Sequence, residues 1–155
     1  GIIVDDILLV AGRLTAMLST ALCGTRGKPM PKPTNEMKAI DPGERWIANI
    51  HTAPFRTLFS DGVADGEVLQ LDTNRPLGTG FHLYRMAPGT TTQAHSHIGH
   101  EEFLMLEGDL VDHDGTRYGP GDLVWLRDGT SHASYTELGC LIVVFATDFG
   151  PPDNQ

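Results

Sequence analysis

Between residues 60 and 129 short turn-forming groups cut the sequence at close intervals, and this punctuation constrains the fold more than any other feature. The groups are SDG (60–62), APG (87–89), EG (107–108), HDG (113–115), YGPG (118–121) and RDG (127–129). Gly supplies the positive φ that tight turns need, while Pro and Asp favour the positions beside it. The apolar, β-branched and aromatic runs between them are too short for packed helices. They read as strands at 46–51, 55–59, 67–71, 80–86, 91–97, 101–107, 109–112, 122–127, 132–135 and 140–147. Many short strands at such spacing close into a sandwich or barrel. LIVVFA (141–146) is apolar at every position and is expected to be a central strand buried on both faces. The eighteen Gly and ten Pro fit an all-β chain better than a helical bundle.

The first residues have a different texture. At about 100° per residue, Ile3, Ile7, Val10, Leu14, Met17, Leu18 and Ala21 share one face. The pattern predicts a short amphipathic helix ending at Gly24. Asp5, Asp6 and Arg13 interrupt it both as a membrane span and as a leader. Residues 24–36, with three Pro and two Gly, read as a linker. Every Lys, at positions 28, 32 and 38, lies in or just after that linker, which excludes a Schiff-base lysine from the rest of the chain. The expected division is therefore 1–40, helix and linker, and 41–155, the β domain. The helix suits contact with a second subunit, unless residues 1–36 precede a natural start at Met30 or Met37. A net charge of −9 argues against nucleic acid as a partner. Two cysteines, Cys23 and Cys140, require no oxidising compartment, so a cytoplasmic location away from membranes is expected.

Five of the seven His lie between His95 and His132. Residues i and i+2 of a strand project from one face, so His95 and His97 can aim two imidazoles at one point. Glu101 follows after a gap suited to a tight bend, and His132 can close the set from a neighbouring strand. Three imidazoles and a carboxylate suit iron, manganese, nickel, copper or zinc better than calcium or magnesium.

These residues resemble the two motifs of the cupin superfamily. Gly89, His95, His97, Glu101 and Gly108 match every marked position of the first, in PGTTTQAHSHIGHEEFLMLEG. Gly121, Gly129 and His132 match the second, in GDLVWLRDGTSHASYT, where Arg127 replaces the usual Pro and Thr136 the usual Asn. The resemblance covers about residues 41–148. It implies an all-β, double-stranded β-helix (jelly-roll) barrel, with one divalent transition metal held by His95, His97, Glu101 and His132. The wider texture is similar to small single-domain bacterial cupins, among them acetylacetone-cleaving and dihydroxyacetophenone dioxygenases, and to the cupin half of zinc-binding anti-sigma factors. On that likeness the expected activity is a metal-dependent, dioxygenase-type oxidation of a small diketone or hydroxyaryl ketone. Fe(II) is the expected metal, with Zn, Mn or Ni as alternatives. An isomerase or lyase, or a non-catalytic zinc-binding or ligand-sensing module, are the other readings. A homodimer is the family-based expectation.

Counting back from Gly108 selects Glu101 over Glu102 as the inward carboxylate and turns Phe103 and Met105 inward with it. Phe103, Met105, Trp125, Val143 and Phe145 are the candidate apolar liners of a substrate pocket. His82, Tyr84 and Met86 share a strand face, which makes Tyr84 a candidate proton donor and His82 a candidate base. His51 is expected on an early strand, His100 at a solvent-facing bend and His113 in a solvated turn. Asp148-Phe149-Gly150 echoes a kinase metal motif but lacks the sequences that accompany one.

Overall fold

A computed structural model describes residues 38–150; the expected N-terminal helix lies outside them. Residues 41–150 form one compact unit. After a 3-10 turn at Pro42–Glu44 come eleven strands: β1 (Arg56–Ser60), β2 (Val63–Leu69), β3 (Gly80–Met86), β4 (Thr90–Thr91), β5 (His95–Gly108), β6 (Leu110–Asp112), β7 (Arg117–Tyr118), β8 (Leu123–Leu126), β9 (Ser131–His132), β10 (Ser134–Thr136) and β11 (Cys140–Gly150). The larger sheet runs β1-β2-β3-β11-β5-β8, with β9 also paired to β5, and the smaller runs β4-β10-β6-β7. All of these pairings are antiparallel. This is the jelly-roll double-stranded β-helix, with its core between the two sheets. Among the described residues, no helix is long and apolar enough to cross a membrane.

The turn chemistry acts as the sequence requires. Asp61 and Gly62 both have positive φ in the hairpin joining β1 to β2, the backbone of a tight two-residue turn. Alternation then sorts each strand. On β3, His82, Tyr84 and Met86 point inward while Phe81 and Arg85 point out. On β5, Glu101, Phe103 and Met105 are buried and Glu102 is exposed. Val68, Tyr84, Met86, Phe103, Met105, Leu110, Ile142 and Val144 make the core.

Three local expectations are corrected. Residues 46–51 form no strand, Trp46 and Ile47 are exposed, and His51 sits in a turn. The bend expected between His97 and Glu101 is a bulge inside one continuous 14-residue strand. At that bulge Gly99 adopts φ +88°, and a Cβ there would strike the Thr147 side chain. As expected, β11 is central, between β3 and β5, but it is buried on one face only. Ile142, Val144 and Ala146 point into the core, whereas Phe145 is 39% exposed and Val143 only partly covered. An antiparallel sheet needs only one covered face, even where its sequence is apolar throughout.

Gly108 ends β5 at φ +81°, where a Cβ would lie 1.7 Å from the Gly139 carbonyl oxygen. Gly115 has a similar φ with open space around it. Gly108→Ala is therefore expected to cost more than about 2 kcal/mol of stability, and Gly115→Ala only about 1 kcal/mol. Denaturant unfolding of the two variants checks the difference.

Candidate metal centre

The antiparallel register of β5 and β9 sets His95 directly opposite His132. His97 lies two residues further along the same face of β5, and Glu101 beyond the Gly99 bulge. One ligand atom from each of His95, His97, Glu101 and His132 lies within 4.8 Å of the others. The His95 and His132 Nε2 atoms are 3.1 Å apart, and His97 Nε2 is 3.6 Å from Glu101 Oε2. Ligands at about 2.1 Å from one ion stand at roughly such separations.

Each imidazole is oriented by its other nitrogen. His95 Nδ1 donates to the Gln93 carbonyl (3.0 Å), and His132 Nδ1 to the Asp112 carboxylate (3.1 Å). His97 Nδ1 donates to Thr130 Oγ1 (2.9 Å), whose own proton goes to the Arg127 carbonyl (2.7 Å). Carbonyl and carboxylate oxygens only accept, so in the neutral rings all three Nε2 lone pairs are left facing the centre. His97 Nε2 is buried with no hydrogen-bond partner. Two lone pairs 3.1 Å apart and a third stranded in the interior are costly unless a cation sits among them. The donor set therefore fits a divalent transition metal.

Asp112 is the residue that sequence reading missed. Its carboxylate also accepts from Ser134 Oγ (2.6 Å) and the Tyr118 hydroxyl (2.9 Å), and so holds His132 firmly. The available signal was strand parity, since Leu110 and Asp112 are both inward on β6. Phe149 was missed too. It packs edge-on against His95 at 5.0 Å between ring centroids.

Without a cation, burial dominates the protonation of these groups. It lowers the pKa of His95, and it takes that of His97 down to about 4 with help from the neighbouring imidazoles. Burial pushes Glu101 up to about 7. It also opposes the His132 imidazolium, but the Asp112 hydrogen bond and the Glu101 and Asp112 charges outweigh it and raise that pKa.

A cavity of about 260 Å³ opens beside the centre. His95, Glu101 and His132 form part of its wall, and Leu58, Leu77, Phe103, Ile142, Val144 and Phe149 make much of the remainder. Of the expected liners, Phe103 takes that place, while Met105 lies in the core. Trp125, Val143 and Phe145 do not line the cavity; they occupy outward positions of their strands, and Ile142 and Val144 line it instead. His82 and Tyr84 line the cavity as well. The Tyr84 hydroxyl donates to the Asp65 carbonyl (2.6 Å), and burial raises its pKa, so its proton is committed within the protein. His113 is exposed, and His100 stacks between Phe145 and Trp125 on the outer face.

The family described as "ChrR Cupin-like domain" matches residues 43–150. Among solved structures, the anti-sigma factor ChrR of Rhodobacter sphaeroides, in complex with SigE, is 25% identical at a TM-score of 0.50, covering 64% of this chain and 51% of that one. This chain thus spans about half the length of that anti-sigma factor. The polyketide cyclase RemF from Streptomyces resistomycificus is 21% identical at a TM-score of 0.55, covering 69% and 82%. An uncharacterised Klebsiella pneumoniae protein with a double-stranded β-helix domain is 18% identical at a TM-score of 0.52, covering 76% and 100%. No curated protein matches this chain in sequence.

Metal binding requires Glu101 ionised and the imidazoles neutral. Below about 7 Glu101 holds a proton, so metal affinity is expected to fall on acidification, by about tenfold per pH unit for each proton displaced. Competition titrations at pH 8 and pH 6 check this. Asp112→Asn is expected to weaken metal affinity about 10–100-fold in the same assay, because the carboxylate that orients His132 is lost.

Proposed function

Because this chain belongs to the ChrR cupin-like domain family, we propose that it is a metal-binding cupin that performs dioxygenase-type chemistry on a small diketone or hydroxyaryl ketone. The observation that carries this reading is the shared wall: three of the four candidate ligands face an apolar cavity of small-molecule size. A metal enclosed on all sides would be structural, whereas one that borders a cavity can be reached by a substrate. Bound at His95, His97, Glu101 and His132, a redox-active ion such as Fe(II) supplies the electron chemistry. Zn, Mn and Ni suit the same donors.

The protein's own groups do the remainder. Asp112, Thr130 and the Gln93 carbonyl hold the three imidazoles in the ligating tautomer. Leu58, Leu77, Phe103 and Phe149 keep water from the substrate and select a compact apolar molecule.

A second reading is a non-catalytic, zinc-binding module that contacts a protein partner. It is favoured by the 25% identity to ChrR, which was crystallised with a sigma factor. Pairing of two copies belongs to both readings. Phe81, Phe145, Glu102 and Trp125 are direct cross-strand neighbours on the outer face of the large sheet, and all four are exposed. A second copy would cover this row.

Protein isolated without chelator is expected to contain a stoichiometric transition metal by elemental analysis. His132→Ala should lose most of it and His113→Ala should keep it. The iron-loaded protein is expected to consume oxygen with acetylacetone or a hydroxyaryl ketone. Full iron occupancy without oxygen uptake would overturn the oxygenase reading in favour of the module. Light scattering should give the mass of a dimer, and a monomer would remove that part.

A further inference from the structure

Of the three imidazoles, His95 has the least secured anchor. His132 leans on the Asp112 carboxylate, which Ser134 and Tyr118 also hold, and His97 on a threonine hydroxyl tied to the main chain. His95 Nδ1 donates instead to the carbonyl of Gln93, an exposed residue that belongs to no strand. A carbonyl outside any ladder is only as well placed as the peptide that carries it. The Gln93 N–H, on the other side of the same Cα, donates to the carboxylate of Asp65 (2.5 Å), which reaches it from β2, 28 residues earlier.

Asp65 is within reach only because β2 is irregular. Glu67 faces outward, where it pairs with Arg85, and strict alternation would send Asp65 the same way. The register breaks first. Leu58 lies opposite Gly66 and Phe59 opposite Ala64, which leaves Asp65 as the extra residue of a bulge. Bulges re-aim side chains, and this one turns Asp65 into the cavity wall. The Asp65 carbonyl accepts from the Tyr84 hydroxyl (2.6 Å), and a Cβ on Gly66 would lie 2.5 Å from the Tyr84 ring, so glycine keeps room for that ring. Strand β2 pairs with β3 only over residues 67–69, and the remainder of the β1–β2 hairpin overhangs β3. Leu58, Phe59 and Ser60 of this overhang line the cavity together with Asp65. Hairpin, cavity wall and His95 thus meet at one hydrogen bond.

We propose that Asp65 is a positioning residue of the metal centre. It fastens the overhanging hairpin to Gln93, and through the Gln93 carbonyl it sets the angle at which His95 presents Nε2. The inference rests on the metal-centre reading above and is independent of the reaction performed there. The Asp65 hydrogen bonds go to none of the four ligands; the residue acts by restricting the Gln93 backbone. Groups of this kind change metal affinity and geometry through the ligand they orient. A cation that fixes His95 must in turn steady the hairpin, because coupling between two sites is reciprocal.

The test loads the full chain with Co(II), whose visible ligand-field bands report coordination geometry, and compares Asp65→Ala with Asp65→Asn. Asp65→Ala is expected to weaken Co(II) binding about tenfold in a chelator competition and to shift those bands. Asp65→Asn, whose amide oxygen accepts the same N–H, should keep wild-type bands and affinity. In wild type, Co(II) should slow amide exchange across residues 58–66, and in Asp65→Ala it should not. Wild-type bands in Asp65→Ala overturn the inference, and so does an equal loss in both variants. Should Asp65→Ala fail to fold, the wild-type exchange decides: hairpin amides indifferent to Co(II) overturn it. A wild-type protein that binds no Co(II) overturns the metal-centre reading, and this inference falls with it.

Discussion

The cross-strand pairing of His95 with His132 is the constraint on which the rest of the centre depends. A single register sets two imidazoles edge-on to each other at the join of the longest strand and one of the shortest. Slipping either strand by one residue would turn one ring outward. Everything else refines that placement. His97 follows from strand periodicity, Glu101 from the bulge at Gly99, and the three Nδ1 anchors from polar groups on neighbouring loops and on β6. The arrangement concentrates lone pairs in a dry interior, which a fold has reason to do only where a cation offsets the repulsion.

The same interior serves two ends. One side of the ligand set abuts Asp112, Tyr118 and Ser134, a hydrogen-bonded polar group that fixes geometry. The other side opens on apolar side chains that admit a molecule. Rigid polar support behind the imidazoles and a soft, water-poor space in front of them is the division of labour expected of a reactive centre. The large sheet adds an outer face rich in aromatic side chains, so its strands carry apolar residues on both sides for two unrelated reasons.

Much of this was legible in the sequence because it is governed by short-range rules. Turn triplets marked the hairpins, alternation gave the inward faces of β3 and β5, and i, i+2 spacing joined His95 to His97. The choice of Glu101 over Glu102 followed from parity alone. What escaped depended on pairing between distant segments. Asp112 gains its role only when β6 lies beside β10, whose Ser134 is 22 residues on from it. Phe149 reaches the centre only because β11 continues beyond a register shift. The outward faces of Val143, Phe145 and Trp125 could not be read from apolarity, which says that a residue can be buried but not on which side of a sheet it stands. Residues 46–51 failed for a related reason: an apolar run becomes a strand only when a partner edge is available.

Residue 127 shows how little of a side chain the centre can require. Thr130 passes its hydroxyl proton to the Arg127 main-chain oxygen, and His97 leans on Thr130 in turn. Only the peptide group at 127 enters that relay, and proline and arginine present the same carbonyl. This one of the two replacements that set the motif apart from its superfamily pattern is thus chemically silent at the imidazole. Sequence there is free to drift, provided the loop keeps its path.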